Sequence, residues 1–157
     1  MKIAAILLFM VLVSLPVVVL PQAAHASERC VDSFCFPDSV QQNGERLGLL
    51  GAAKKRYLIF NLYEAALYGP TNARSPDAIL GPVPKRLVIK YLRTIEKKDF
   101  IEAARQVLEN NPEVPMAAME AGLRQINAAY RSVEKGDTYE LAFDPKRGLT
   151  LILNGRE

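Results

Sequence analysis

The sequence predicts an α+β fold, an antiparallel sheet packed with helices. Three observations predict it. Apolar runs of strand length, rich in aromatic and branched residues, fill residues 47–92. From Lys97 onward the apolar spacing changes from two to about 3.6 and stays there to Val133. Two more strand-like runs then close the chain after Gly136-Asp137. Helices grouped between runs of strands indicate an antiparallel sheet covered on one face, not alternating βαβ units.

The N-terminus comes first because it bears on the compartment. Lys2 is followed by an apolar run over residues 3–20, broken only by Ser14 and Pro16, and then by Ala24-His25-Ala26. A charged start, an apolar middle and an A-x-A site are the layout of a secretory signal peptide. Residues 1–26 are therefore expected to be a leader and residues 27–157 a single domain, exported and most simply periplasmic. An uncleaved anchor is the competing reading, but Pro16 and Pro21 oppose a continuous spanning helix. Removing 26 of 157 residues leaves 131, enough for one buried core.

Without the leader, Lys+Arg is 19 against 17 Asp+Glu, too small an excess for a nucleic-acid binder. The only histidine, His25, lies in the leader. The mature chain then has no Ser-His-Asp or Cys-His machinery, no Cys/His zinc set and no cofactor motif. Cys30 and Cys35 are close together in an exported chain, which predicts a disulfide, with two free thiols as the alternative.

Along the chain, residues 28–42 read as irregular and Asn43-Gly44 as a hairpin turn. A short strand is expected over residues 47–50, ending at Gly51, and the longest strand over residues 57–68, closed by Gly69-Pro70. Ser75-Pro76 should cap a short helical turn. Residues 86–92 read as a strand and residues 97–110 as an amphipathic helix. A second helix carries Met116, Met119, Leu123, Ile126, Tyr130 and Val133 on one stripe, read as core rather than a methionine-rich binding face. Residues 138–143 and 149–153 form a last hairpin across Asp144-Pro145-Lys146-Arg147-Gly148.

Residues 57–68 are apolar on both strand faces, which predicts a central strand. Asn61, Tyr63 and Glu64 interrupt that run. A buried polar group costs on the order of 2 kcal/mol or more unless partnered. These three either find partners inside or line a wet cavity.

At this point the residues resemble a family. Gly51-Ala52-Ala53, Lys55 and the stretch FNLYEAALYGP are similar to bacterial exported members of the chalcone isomerase-like family, as are RLVIKYLR and the Gly136-Asp137, Asp144-Pro145, Gly148 and Leu153-Asn154-Gly155 pieces. The resemblance implies an open-faced sandwich around an apolar cleft. It also implies a small apolar ligand with a carboxylate or phenolate, held by a cation at Lys55 and a hydroxyl at Tyr63; Asn61 is a further ligand-binding candidate from its place as a polar interruption of the strand. Lys55 stands where the family carries Arg, and an ammonium does not reproduce a planar guanidinium. On a straight strand Lys55 and Tyr63 would lie roughly 26 Å apart. The expected function is therefore binding, as of a fatty acid, with no catalytic residue assigned. The alternatives are an isomerase closing a flavonoid-like enone and a partner-binding domain with a vestigial site. The chain reaches Glu157 without the Trp-bearing segment of such members, which raises the expectation of a truncated member. The uncharged run 149–153 adds an expectation of self-association through the last hairpin, and no stable membrane insertion is expected after leader cleavage.

Overall fold

The computed structural model describes residues 27–73 and 75–157. The expected leader lies outside the described residues. Eight strands and three helices follow in the order β1 (Glu28–Val31), β2 (Phe34–Pro37), β3 (Ser39–Gln42), β4 (Glu45–Tyr57), β5 (Phe60–Gly69), α1 (Pro76–Leu80), β6 (Lys85–Tyr91), α2 (Lys97–Glu109), α3 (Met116–Ala129), β7 (Thr138–Asp144) and β8 (Gly148–Leu153). Strands β3 to β8 form one antiparallel sheet in chain order, and β1 and β2 form a separate hairpin. The fold is α+β, as the change of apolar period predicts.

Local chemistry explains the turns. Asn43 and Gly44 take φ of 50° and 82° between β3 and β4, positions that favour these two residue types. Ser75 caps α1 by accepting from the Ala78 N–H at 3.2 Å, with Pro76 in the first turn. Asp144 accepts from the Lys146 N–H at 2.8 Å and fixes the β7–β8 loop.

Three expectations need correction. Residues 28–42 are three short strands, not irregular chain. The pairing is local: Cys30 faces Cys35 in register and the two are joined by a disulfide. The strand expected over residues 47–50 extends to Tyr57, and the strand expected over residues 57–68 is broken at Leu58-Ile59, where the chain reverses. Leu58 makes that turn with φ 53°, and an apolar pair gives no turn signal in sequence. Finally, α3 ends at Ala129 and buries none of its residues. Its stripe is half covered, with Met119 37% exposed. Val133 instead lies fully buried beyond the helix, bridged to Ile95.

Strand β5 is third of six, central as its two apolar faces predict. Its two faces meet different partners. On one, Ala66 and Tyr68 pack with Phe36, Leu47 and Val88, and the β1–β2 hairpin closes the cluster. On the other, Tyr63 packs against a second cluster of Tyr91, Val133 and Tyr139, joined by Phe100 of α2. The sheet is thus covered on both sides, by a hairpin and by helices, where one covered face was expected.

Candidate functional site

Register decides which side chains reach the helix-covered face. Lys55 on β4 pairs with Tyr63 on β5, and Arg56 pairs with Asn61. Leu62 is the extra residue in that count, a bulge that lets Leu62 and Tyr63 line the same cavity. Tyr63 in turn pairs with Tyr91 on β6, and Ile89 of β6 pairs with Tyr139 on β7. Three strands therefore bring three tyrosines to one place.

Together with α2 they enclose a cavity of about 760 Å³. Its floor is aromatic. Tyr91 meets Tyr63, Phe100 and Tyr139 edge-on at centroid distances of 6.0, 5.6 and 6.2 Å, and Phe100 stacks on Tyr130 at 5.5 Å. Edge-to-face and offset contacts at these distances hold the rings in fixed relative orientation. Leu62, Leu87, Ile89 and Leu141 supply aliphatic wall. Tyr139 is pinned through its hydroxyl, which donates to the Arg131 carbonyl at 3.0 Å and accepts the Arg131 N–H at 2.7 Å.

Polar groups gather among the exposed lining residues. Among the described residues Arg93 is the one cation that lines the cavity, and its guanidinium lies 4.6 Å from the Phe60 ring centroid. Asp99 and Glu102 come from α2. Asp99 is already engaged, accepting the Glu96 N–H at 3.2 Å. Burial pushes the Tyr91 hydroxyl well above the ordinary phenol range, and the neighbouring tyrosines add to the shift. Burial, then Tyr139, pushes Tyr130 up as well. These phenols remain protonated near neutrality. They can donate hydrogen bonds but cannot act as bases there.

Of the three residues singled out in the sequence, Tyr63 lines the cavity and Lys55 and Asn61 do not. Lys55 is exposed, but the separation estimated for a straight strand is overturned: the turn at 58–59 makes Lys55 the cross-strand partner of Tyr63. Asn61 is exposed and accepts the Arg56 Nε–H at 3.0 Å. Arg93, Tyr91, Phe100 and Tyr139 were missed. The signal for Arg93 was the last letter of RLVIKYLR, a cation just past a strand end. Among the described residues no group of three or more His, Cys, Asp or Glu could hold a metal ion. Among them also, no helix is long and apolar enough to cross a membrane.

The chalcone isomerase-like family model matches residues 29–157, nearly the whole described chain. The chain belongs to the chalcone isomerase-like family. Among solved structures, this family member is similar to a fatty-acid binding protein of Arabidopsis thaliana, with 15% sequence identity and a TM-score of 0.62. The alignment covers 83% of this chain and 79% of the plant protein. No curated protein sequence matches the chain. At that identity the likeness to the plant protein is one of fold, so the residues that serve a site in this chalcone isomerase-like chain rest on its own geometry.

Proposed function

We propose that this protein binds a small apolar ligand carrying a carboxylate, such as a fatty acid, and does not transform it. One observation carries the reading: the aromatic-floored cavity on the Tyr63 face of β5, with Arg93 as its lining cation. About 760 Å³ is within the usual range for small-molecule sites. Aliphatic and aromatic walls suit a hydrocarbon tail. A guanidinium lining the same cavity as phenol groups suits a carboxylate head group. The fold shared with a plant fatty-acid binding protein supports the same reading.

Ring closure of a flavonoid-like enone fits less well. It would need a cation beside the developing phenolate at the Lys55 position, and Lys55 is exposed and outside the cavity lining. Burial holds the Tyr91 and Tyr130 phenols protonated, so neither of these two serves as a base near neutrality. We also propose export of residues 27–157 as one domain to an oxidising compartment, most simply the periplasm. The leader-like N-terminus and the Cys30–Cys35 disulfide support this.

The test is displacement of a fluorescent fatty acid. Arg93→Ala and Tyr63→Phe should each weaken binding of the free acid by about tenfold, the usual worth of a hydrogen bond to a charged group. Binding of the methyl ester of the same chain should change much less. Equal losses for acid and ester, or no binding by the wild type, would reject the carboxylate anchor.

A further inference from the structure

The turn between β4 and β5 breaks the rule that the turn between β3 and β4 obeys. Tyr57 pairs with Phe60, so Leu58 and Ile59 alone make the reversal. Two-residue hairpin turns favour Asn, Asp or Gly because they need positive φ, and Asn43-Gly44 meets that need in the same chain. Here a leucine takes φ 53°. The two turn side chains gain little packing in return: Leu58 and Ile59 are 81% and 87% exposed, and the flanking Tyr57 and Phe60 are 64% and 47% exposed. Other exposed large apolar residues, such as Leu80 and Val107, are single; these four are consecutive. A local rule broken without compensation in the fold points to function.

Two neighbouring features indicate what covers the tip. The first is charge. Lys55 and Arg56 precede the tip on β4, both exposed, and Arg93 stacks on Phe60. The acids that line the cavity, Asp99 and Glu102, belong to α2 and not to this hairpin. An apolar tip behind a basic collar is the pattern of an interfacial anchor on an anionic lipid surface. The second is position. Tyr57 belongs to the tip and also lines the cavity, as does Arg93 of the collar. A bilayer engaged by this hairpin would adjoin the cavity mouth.

We propose that the β4–β5 hairpin docks the protein peripherally on an anionic membrane surface, with Leu58 and Ile59 inserted among the acyl chains and Lys55 and Arg56 at the headgroups. Docking of this kind does not span the bilayer. It stands independently of which ligand the cavity holds.

The experiment is co-sedimentation of the purified protein with vesicles of phosphatidylglycerol and phosphatidylcholine, its N-terminus sequenced beforehand so that retained leader is recognised. The wild type should pellet with the anionic vesicles and only weakly with pure phosphatidylcholine. Added salt should release it. Ile59→Asp combined with Leu58→Asp should lower partitioning by about tenfold or more. Removing the charge of Lys55 or Arg56 should cost about fivefold each. All four positions are exposed, so melting curves should match the wild type. The chain has no Trp, so Ile59→Trp supplies a clean reporter whose emission should shift to the blue on anionic vesicles. Failure of the folded wild type to pellet at low salt would overturn the proposal, as would pelleting indifferent to the tip variants. So would a dimer that Ile59→Asp dissolves, since the tip would then be covered by a second copy. Fatty-acid binding in vesicle-free solution is read separately, so neither result decides the other.

Discussion

The two faces of β5 give opposite fates to adjacent polar residues. Glu64 points to the hairpin side and is completely buried. Its carboxylate accepts the Ser33 N–H at 3.0 Å and the Phe34 N–H at 2.9 Å, so it caps the turn between β1 and β2. Asp32 of that turn also pairs with Lys54 on β4. Tyr63, one residue earlier, points to the helix side and meets an aromatic cavity. One face spends its polar residue on closing the structure, while the other sets its polar residue in the wall of a cavity. A polar residue inside an apolar strand therefore does not by itself mark a site. What separates the two is whether the backbone opposite supplies donors.

The largest expected effect comes from opening the closed face. Glu64→Ala would leave two backbone N–H groups beneath the hairpin unpartnered and should cost about 3 kcal/mol. The check is a urea midpoint measured with and without the substitution. Affinity of the folded fraction for a fluorescent fatty acid should stay within about twofold, because Glu64 lies on the other side of the sheet. A large loss of affinity at unchanged stability would break the division between the faces.

Cutting the disulfide should be milder. So short a closed loop is worth about 2 kcal/mol on the chain-entropy model, so Cys30→Ser with Cys35→Ser should lower the midpoint by less than Glu64→Ala. Thiol titration of unfolded, unreduced wild type should find no free thiol. Two free thiols would remove the bridge from the account.

Alkali should act on both clusters. Tyr68 is fully buried, and burial, with Asp38 and Glu140 nearby, pushes its hydroxyl up to about 12. Because the folded value lies above the ordinary value of 10.0, folding favours the protonated phenol. Its contribution is whole below pH 10 and is lost as pH rises from there towards about 12. Tyrosine absorbance titrated beside circular dichroism should show the last phenols ionising together with unfolding. Full ionisation near pH 10 with the fold intact would mean that Tyr68 is accessible.

Much of the fold was legible because its signals are local. The change of period marks the helices, Asn43-Gly44 marks its turn and Ser75-Pro76 marks its cap. The turn at Leu58-Ile59 was not legible, because an apolar pair there reads as strand. That one misreading fused two strands and set Lys55 far from Tyr63, its actual cross-strand partner. The stripe on α3 read as core because periodicity reports a shared face and not what lies against it. Tyr63 was legible as a polar interruption. Tyr91, Phe100 and Tyr139 were not, because they come from separate elements and meet only through sheet register and the placement of α2.

The central claim is that the cavity on the Tyr63 face holds an acyl ligand. Its most direct test is native mass spectrometry of the wild type and of Leu87→Trp after incubation with a fatty acid. Leu87 lines the cavity from β6, so a bulkier ring there should narrow it while both faces stay folded. The account predicts one fatty acid per wild-type chain and clearly lower occupancy on Leu87→Trp, with similar melting curves. Equal occupancy of the two folded proteins would place the ligand elsewhere and contradict it.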